Sequence, residues 1–259
     1  MHRDIELIIE AWFFFISLVN AARINEFNIS SIMRCILPYH ETNPFVSFVS
    51  LLKLDEKTAS MDTALWTFLT PLKKSRHPLE VETLVQRCIK DRGLLEFVCS
   101  MVQTFAQTPH APPFKTLFSF YASVVLRIVQ AMPTLNLEFS MVMLPYLLDG
   151  LKAKASPDFQ LSTYMILSQI SSRAELSQDA VSSLTIAMVQ HYSKPHATQM
   201  LLCMVYLAQS QQSFQELPKK ALKPLLKIPD LGASLIDISQ KYNAERFLRA
   251  FLLKLIHCR

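Results

Sequence analysis

The stretch Cys35-Ile36-Leu37-Pro38-Tyr39-His40-Glu41-Thr42-Asn43-Pro44 is the first place where residue types suggest chemistry. His40-Glu41 is the first half of the zinc-protease pattern H-E-x-x-H, which needs two histidines one helical turn apart. Pro44 stands where the second histidine would be and breaks the helix, so the metal reading fails. Cys35, five residues before His40, offers a thiol near an imidazole. A nucleophile needs its base within hydrogen-bond reach and a third group to orient the base. No third group is evident at one corner, and a structural histidine at a helix end is the expectation. The other histidines, at 2, 77, 110, 191, 196 and 257, have no ligand spacing. Asp149 and Asp158 are the most tempting carboxylates. Asp158 follows Ser156-Pro157 at the opening of a helix, where exposed amides favour a carboxylate for structural reasons. Only Gly93, Gly150 and Gly232 occur, so neither G-x-G-x-x-G, a P-loop nor G-x-S-x-G can be written. No catalytic, cofactor-binding or metal-binding residues are expected.

Positive charge is the remaining chemical feature. Residues 194–259 carry ten Lys/Arg against four Asp/Glu, whereas residues 1–193 carry sixteen against seventeen, so the net +5 belongs to the last quarter. Lys220, Lys223 and Lys227, with Lys219 beside them, fall on one face of a helix beginning near Pro218, with Leu222, Leu225 and Leu226 away from it. Pro224 should break or kink that helix. Arg246, Arg249 and Lys254 continue the bias. Lys219, Lys220, Lys223, Lys227, Arg246 and Arg249 are therefore the candidate surface for RNA or an acidic partner, with an ordinary solvated face as the alternative. Without an RNP or zinc-knuckle pattern, any RNA contact would be to the backbone and salt-sensitive.

These residues must be positioned by helices. Hydrophobic residues at 51% and charged residues at 18% exclude a disordered chain, and sparse glycine with frequent proline corners suits an all-α architecture. Five cysteines, at 35, 88, 99, 203 and 258, lack C-x-x-C spacing and read as reduced, mostly buried thiols. Residues 1–22 form a separate apolar block. Its uncharged run is shorter than the ~20 residues a bilayer needs, so it reads as a core or capping helix, with a leader or anchor as the alternative. In that alternative Asn28-Ile29-Ser30 would be a glycosylation sequon; otherwise Asn28 is the N-cap of the next helix.

Helices are expected at Ile29–Leu37, about Pro44–Leu54, near Trp66, about Leu79–Lys90 and Gly93–Gln107. Pro71 to Pro78 reads as a basic loop. Pro109, Pro112 and Pro113 mark the clearest break, dividing helical repeats at 23–108 from HEAT-like repeats at 109–259. Leu144-Pro145-Tyr146 echoes the Leu37-Pro38-Tyr39 corner. Between about Leu135 and Gln211 helix pairs recur at roughly 40 residues, the period of HEAT or armadillo solenoids. Such pairs must stack to bury their apolar faces.

Several words in the chain resemble a known family. Cys35-Ile36-Leu37-Pro38-Tyr39-His40-Glu41-Thr42, the Trp66 to Lys74 segment, Cys88 to Cys99, Phe120-Tyr121-Ala122-Ser123, Leu144 to Ser171 and Ile228-Pro229-Asp230-Leu231 are similar, in order, to the N-terminal region of the HEAT repeat-containing protein 1 / U3 small nucleolar RNA-associated protein 10 family. The resemblance implies a helical solenoid scaffold of the nucleus and nucleolus, without catalytic residues. It further implies service in the small-subunit processome, supporting ribosomal RNA transcription and pre-18S processing. The implied partners are other processome proteins and pre-ribosomal RNA or small nucleolar ribonucleoprotein, with no cofactor. Gln160 departs from the HEAT pattern, where arginine is common. The expectation is a lost inter-repeat ion pair and irregular stacking there. A general HEAT adaptor for transport or trafficking is the alternative function, and a secreted or membrane-anchored helical protein the more distant one.

Overall fold

The computed structural model describes residues 16–19, 21–54, 64–106 and 115–257. Most of the apolar N-terminal block, the Pro109–Pro113 break and Cys258 lie outside these residues. Among the described residues there are helices and no strand, and no helix is long and apolar enough to cross a membrane. The protein has the all-α, HEAT-like solenoid fold. It forms two compact units, Met1–Arg87 and Cys88–Arg259.

The first unit contains α1 (Ile24–Phe27), α2 (Ile29–Ile36), α3 (Asn43–Leu51) and α4 (Thr70–Ser75), with α5 (Val81–Lys90) crossing the boundary. Pro38 falls inside a short 3-10 turn, Leu37–Tyr39, that stops α2. Thr42 opens α3: its hydroxyl oxygen accepts from the Phe45 amide at 3.4 Å, and Pro44 sits in the first turn, where a missing N–H costs nothing. Asn28 occupies the N-cap position of α2, but its side chain makes no capping bond. Leu37, Phe45, Val49, Trp66 and Leu69 are buried, and Trp66 Nε1 donates to Ser30 Oγ at 2.9 Å. The expected basic loop is partly helical instead. Pro71 is in the first turn of α4, so it starts that helix rather than breaking it.

The second unit holds α6 (Arg92–Ala106), α7 (Lys115–Ala131), α8 (Leu137–Lys152), α9 (Pro157–Ser171), α10 (Gln178–His191), α11 (Ala197–Ser210), α12 (Lys219–Leu225), α13 (Leu231–Lys241) and α14 (Glu245–His257). These helices make two layers. In one, α7, α9, α11 and α14 stack in turn; in the other, α6, α8, α10 and α12 do, and α13 leans on α11. Equivalent residues meet at separations of 39 to 44 residues, as where Ser162 donates to the Phe118 carbonyl and the Cys203 thiol to the Tyr164 carbonyl. Phe118 stacks on Phe159 with centroids 5.6 Å apart, and Tyr121 meets the same ring edge-on.

Polar side chains close the helix ends between neighbours. A helix leaves its last carbonyls without intrahelical partners. Arg173, just past α9, donates to Val129, Met132 and Pro133 at the end of α7. Gln211, just past α11, donates to Ser171 and Ala174 at the end of α9 and accepts from the Leu176 amide. Arg246 of α14 donates to the Gln211 carbonyl at 2.9 Å and reaches that of Ala208 at the end of α11. At the opposite edge Gln160 of α9 donates to Leu151 (2.9 Å) and His191 (2.7 Å), closing α8 and α10, and accepts from the Ser193 amide. The irregular stacking expected at Gln160 does not occur, because its amide bridges three backbone groups in place of the ion pair that the HEAT pattern would have there.

Pro145 lies inside α8 rather than at a corner. The carbonyl that loses its partner belongs to Met141, which is 65% exposed, on a side of the helix open to solvent. Gly150 lets α8 approach α9: a Cβ there would overlap the Thr163 hydroxyl.

Two substitutions read this packing. Gln160→Ala should lower stability by roughly 2–3 kcal/mol, because buried backbone groups are left without partners. A change under about 0.5 kcal/mol in urea unfolding would show that water replaces the amide at no cost. Gly150→Ala should cost about 1–3 kcal/mol by overpacking. Adding Thr163→Ala should recover part of that loss; failure to do so would mean that the close approach is not what Gly150 provides.

Candidate acidic-partner or nucleic-acid interface

The six candidate cations divide by what their neighbours require. Lys219, Lys220 and Lys223 lie on α12, exposed, while Ala221, Leu222 and Leu225 turn inward and hold the helix against α10 and α14. Pro224 lies in the last turn, and α12 ends at Leu225. Leu226 keeps helical geometry, its amide donating to the Leu222 carbonyl at 3.0 Å, and Lys227 follows in a turn closed by its amide on Pro224. Lys227 thus falls beyond the helix, adjoining the same exposed ridge. The expectation that Leu226 points away fails, for its side chain is 51% exposed.

Arg246 does not belong with the ridge, since its guanidinium caps α11. Arg249 is exposed on α14, on a stripe shared with Leu252, Leu253 and Ile256. Lys254 is turned inward, its side chain 9% exposed, with Nζ 2.9 Å from the Glu216 carboxylate. That ammonium holds the Glu216 carboxyl below its ordinary pKa, and the charge of Lys219 adds a little. Lys241 pairs with Asp237 at 2.8 Å. Among the described residues no carboxylate makes an ion pair with Lys219, Lys220, Lys223 or Lys227.

His40 and Asp149 are held in hydrogen bonds to other parts of the chain. His40 is buried, and its Nδ1 donates to the Leu79 carbonyl at 2.7 Å while the Leu79 amide donates back to the His40 carbonyl at 3.0 Å. The imidazole ties two segments of the first unit together. Cys35 is exposed on α2. Burial pushes the Cys203 thiol up to about 12 and Cys99 higher still, so neither supplies a thiolate near neutral pH. Asp149 accepts from Gln103 Nε2 at 2.6 Å, and Asp158 sits in the first turn of α9 beside its open amides. Two open clefts, of about 240 and 460 Å³, run between helices of the second unit. The smaller contains the ion pair of Arg92 with Glu138, and the larger is lined by Ala122, Leu161 and Met165 together with Lys115 and Asp158. Among the described residues no three His, Cys, Asp or Glu are grouped to hold a metal.

Sequence reasoning missed the capping roles of Arg173 and Arg246 and the Lys254–Glu216 clamp. The available signal was position: an arginine near a helix boundary, about one repeat after another helix end.

The family model described as U3 small nucleolar RNA-associated protein 10 matches residues 140–255, from the first turn of α8 into α14. HEAT repeat-containing protein 1 of Homo sapiens is 32% identical over 246 residues, 92% of this chain and 11% of that protein. A homologue of HEAT repeat-containing protein 1 from Dictyostelium discoideum is 32% identical over 89% of this chain and 10% of its own length. U3 small nucleolar RNA-associated protein 10 of Pyricularia oryzae is 25% identical over 92% of the chain and 13% of its own. The chain therefore spans about a tenth of the length of these relatives. Residues 140–255 carry the domain of the U3 small nucleolar RNA-associated protein 10 family, and the chain as a whole is related to the HEAT repeat-containing protein 1 proteins.

Proposed function

We propose that this chain serves ribosome biogenesis as a non-enzymatic helical scaffold of the nucleolar small-subunit processome, supporting ribosomal RNA transcription and pre-18S processing. The observation that carries this reading is the coincidence of the family domain with the helical stack: residues 140–255 comprise nearly all of α8 to α14. Stacked helix pairs present a long surface whose backbone is internally satisfied, so exposed side chains are free to grip partners. The partners are other processome proteins, with pre-ribosomal RNA or small nucleolar ribonucleoprotein held through them or by backbone contacts. The ridge of Lys219, Lys220, Lys223 and Lys227, with Arg249 on α14, supplies the electrostatic part of docking. Arg246, named with them on sequence, also donates to the end of α11, so the electrostatic part is assigned to the other five cations.

The test is affinity purification of the tagged chain from nuclear extract at near-physiological salt, with and without ribonuclease. Recovery of small-subunit processome proteins that survives ribonuclease is expected, reduced several-fold by joint charge reversal of Lys219, Lys220 and Lys223. Recovery of transport carriers or coat components, with no nucleolar particle, would replace this reading with that of a general HEAT adaptor.

A further inference from the structure

The lysine ridge is not only charged. Leu226 is 51% exposed between Lys223 and Lys227, three residues from the first and one from the second, and it continues the α12 geometry. The sequence from Lys219 to Lys227 thus offers four exposed lysines and one exposed aliphatic residue along about 12 Å of helix-like rise. The platform beneath is firm: Ala221 and Leu225 are fully buried, Leu222 is nearly so, and α12 packs on both α10 and α14. Neighbouring cations are used internally, Lys254 by Glu216, Lys241 by Asp237 and Arg246 by the end of α11. These four have no ion-pair partner among the described residues, and their shared positive sign makes the ridge complementary to an acidic group from outside.

Two kinds of polyanion meet such a charge pattern, and the apolar residue distinguishes them. Single-stranded RNA is held by cations with aromatic rings on which bases stack. Between Lys219 and Lys227 no aromatic residue occurs, and the exposed large apolar side chain is Leu226. An acidic polypeptide instead brings carboxylates and an apolar anchor on one segment. We infer that the α12 ridge binds an acidic peptide segment of a partner protein, in which an aliphatic or aromatic residue flanked by Asp and Glu packs on Leu226 while the carboxylates pair with Lys219, Lys220, Lys223 and Lys227. This rests on the reading of the ridge as a partner surface, and it names the class of partner.

The experiment measures binding of the full chain to three labelled probes by fluorescence anisotropy, at low and near-physiological salt. One is a glutamate-rich peptide with a central Leu-Phe pair, the second the same peptide with Ser-Ser there, and the third an oligouridylate of similar charge. The Leu-Phe peptide is expected to bind tightest, to lose at least about tenfold with K219E/K220E/K223E, and to lose roughly fivefold with Leu226→Ser. The Ser-Ser peptide should bind more weakly and be indifferent to Leu226→Ser. Tighter binding of oligouridylate, unaffected by Leu226→Ser, would overturn the proposal in favour of RNA backbone. Failure of all three probes, or binding unmoved by the charge reversal, would overturn it in favour of a solvated face. Thermal melts of each variant confirm that the fold is kept. Recovery of processome proteins is read separately, so peptide binding without that recovery would sink the scaffold reading while this one stands.

Discussion

The second unit depends on closing the open ends of stacked helices. Each helix leaves its last carbonyls without intrahelical partners, and a stack buries many of those ends. Apolar faces alone do not meet this need. They are non-directional, and one helix could slide along another at little loss of buried area. Arg173 on the end of α7, Gln211 on that of α9 and Arg246 on that of α11 provide the missing direction. Each donor comes from one repeat later, so satisfying a carbonyl and setting the register are a single event. Gln160 performs the same service for α8 and α10 at the opposite edge.

That constraint also sorts the positive charge. Net charge describes the last quarter as uniformly basic, yet its cations have separate tasks. Arg246 is fixed by helix-end carbonyls and Lys254 by a carboxylate outside the core. Lys219, Lys220 and Lys223 sit on a helix whose inward face is complete with Ala221, Leu222 and Leu225, and none of them makes an ion pair with a described carboxylate. The outward ridge is thus what remains after the stack has taken the donors it needs. Lys227 joins it because Pro224 and the end of α12 turn the chain there.

Much of this was legible in the sequence, and the misses share a cause. Apolar periodicity locates α2, α3, α5 and α6 within a few residues, and the repeat of roughly 40 residues anticipates the paired stacking of the helices that follow. Proline was the less reliable sign, because its effect depends on its position in the helix. Pro44 and Pro157 open helices as expected. Pro71 opens α4 where a loop was expected, and Pro145 is carried inside α8, where the carbonyl it deprives belongs to an exposed residue. The outward turn of Leu226 was hidden for a related reason. Helical spacing assigns it to the face of Leu222, but α12 ends one residue before it and the core no longer reaches it. The capping donors were illegible because their partners are backbone atoms tens of residues away, to which no residue type points.

The choice between arginine and glutamine along the stack follows the same physics. Arg173 and Arg246 are exposed residues, so each guanidinium can bond to carbonyls while part of it stays hydrated. Gln160 and Gln211 are fully buried. An arginine at either site would bring a full charge into the interior with no carboxylate to meet it, a cost that a few carbonyl bonds do not offset. A neutral amide avoids that cost. It also supplies an acceptor, which arginine lacks, and both glutamines use it, Gln160 for the Ser193 amide and Gln211 for that of Leu176. Where the HEAT pattern has a charged residue, this chain has an uncharged one because the position between α8, α9 and α10 is closed to water. The departure from the pattern at Gln160 is therefore the local condition for regular stacking.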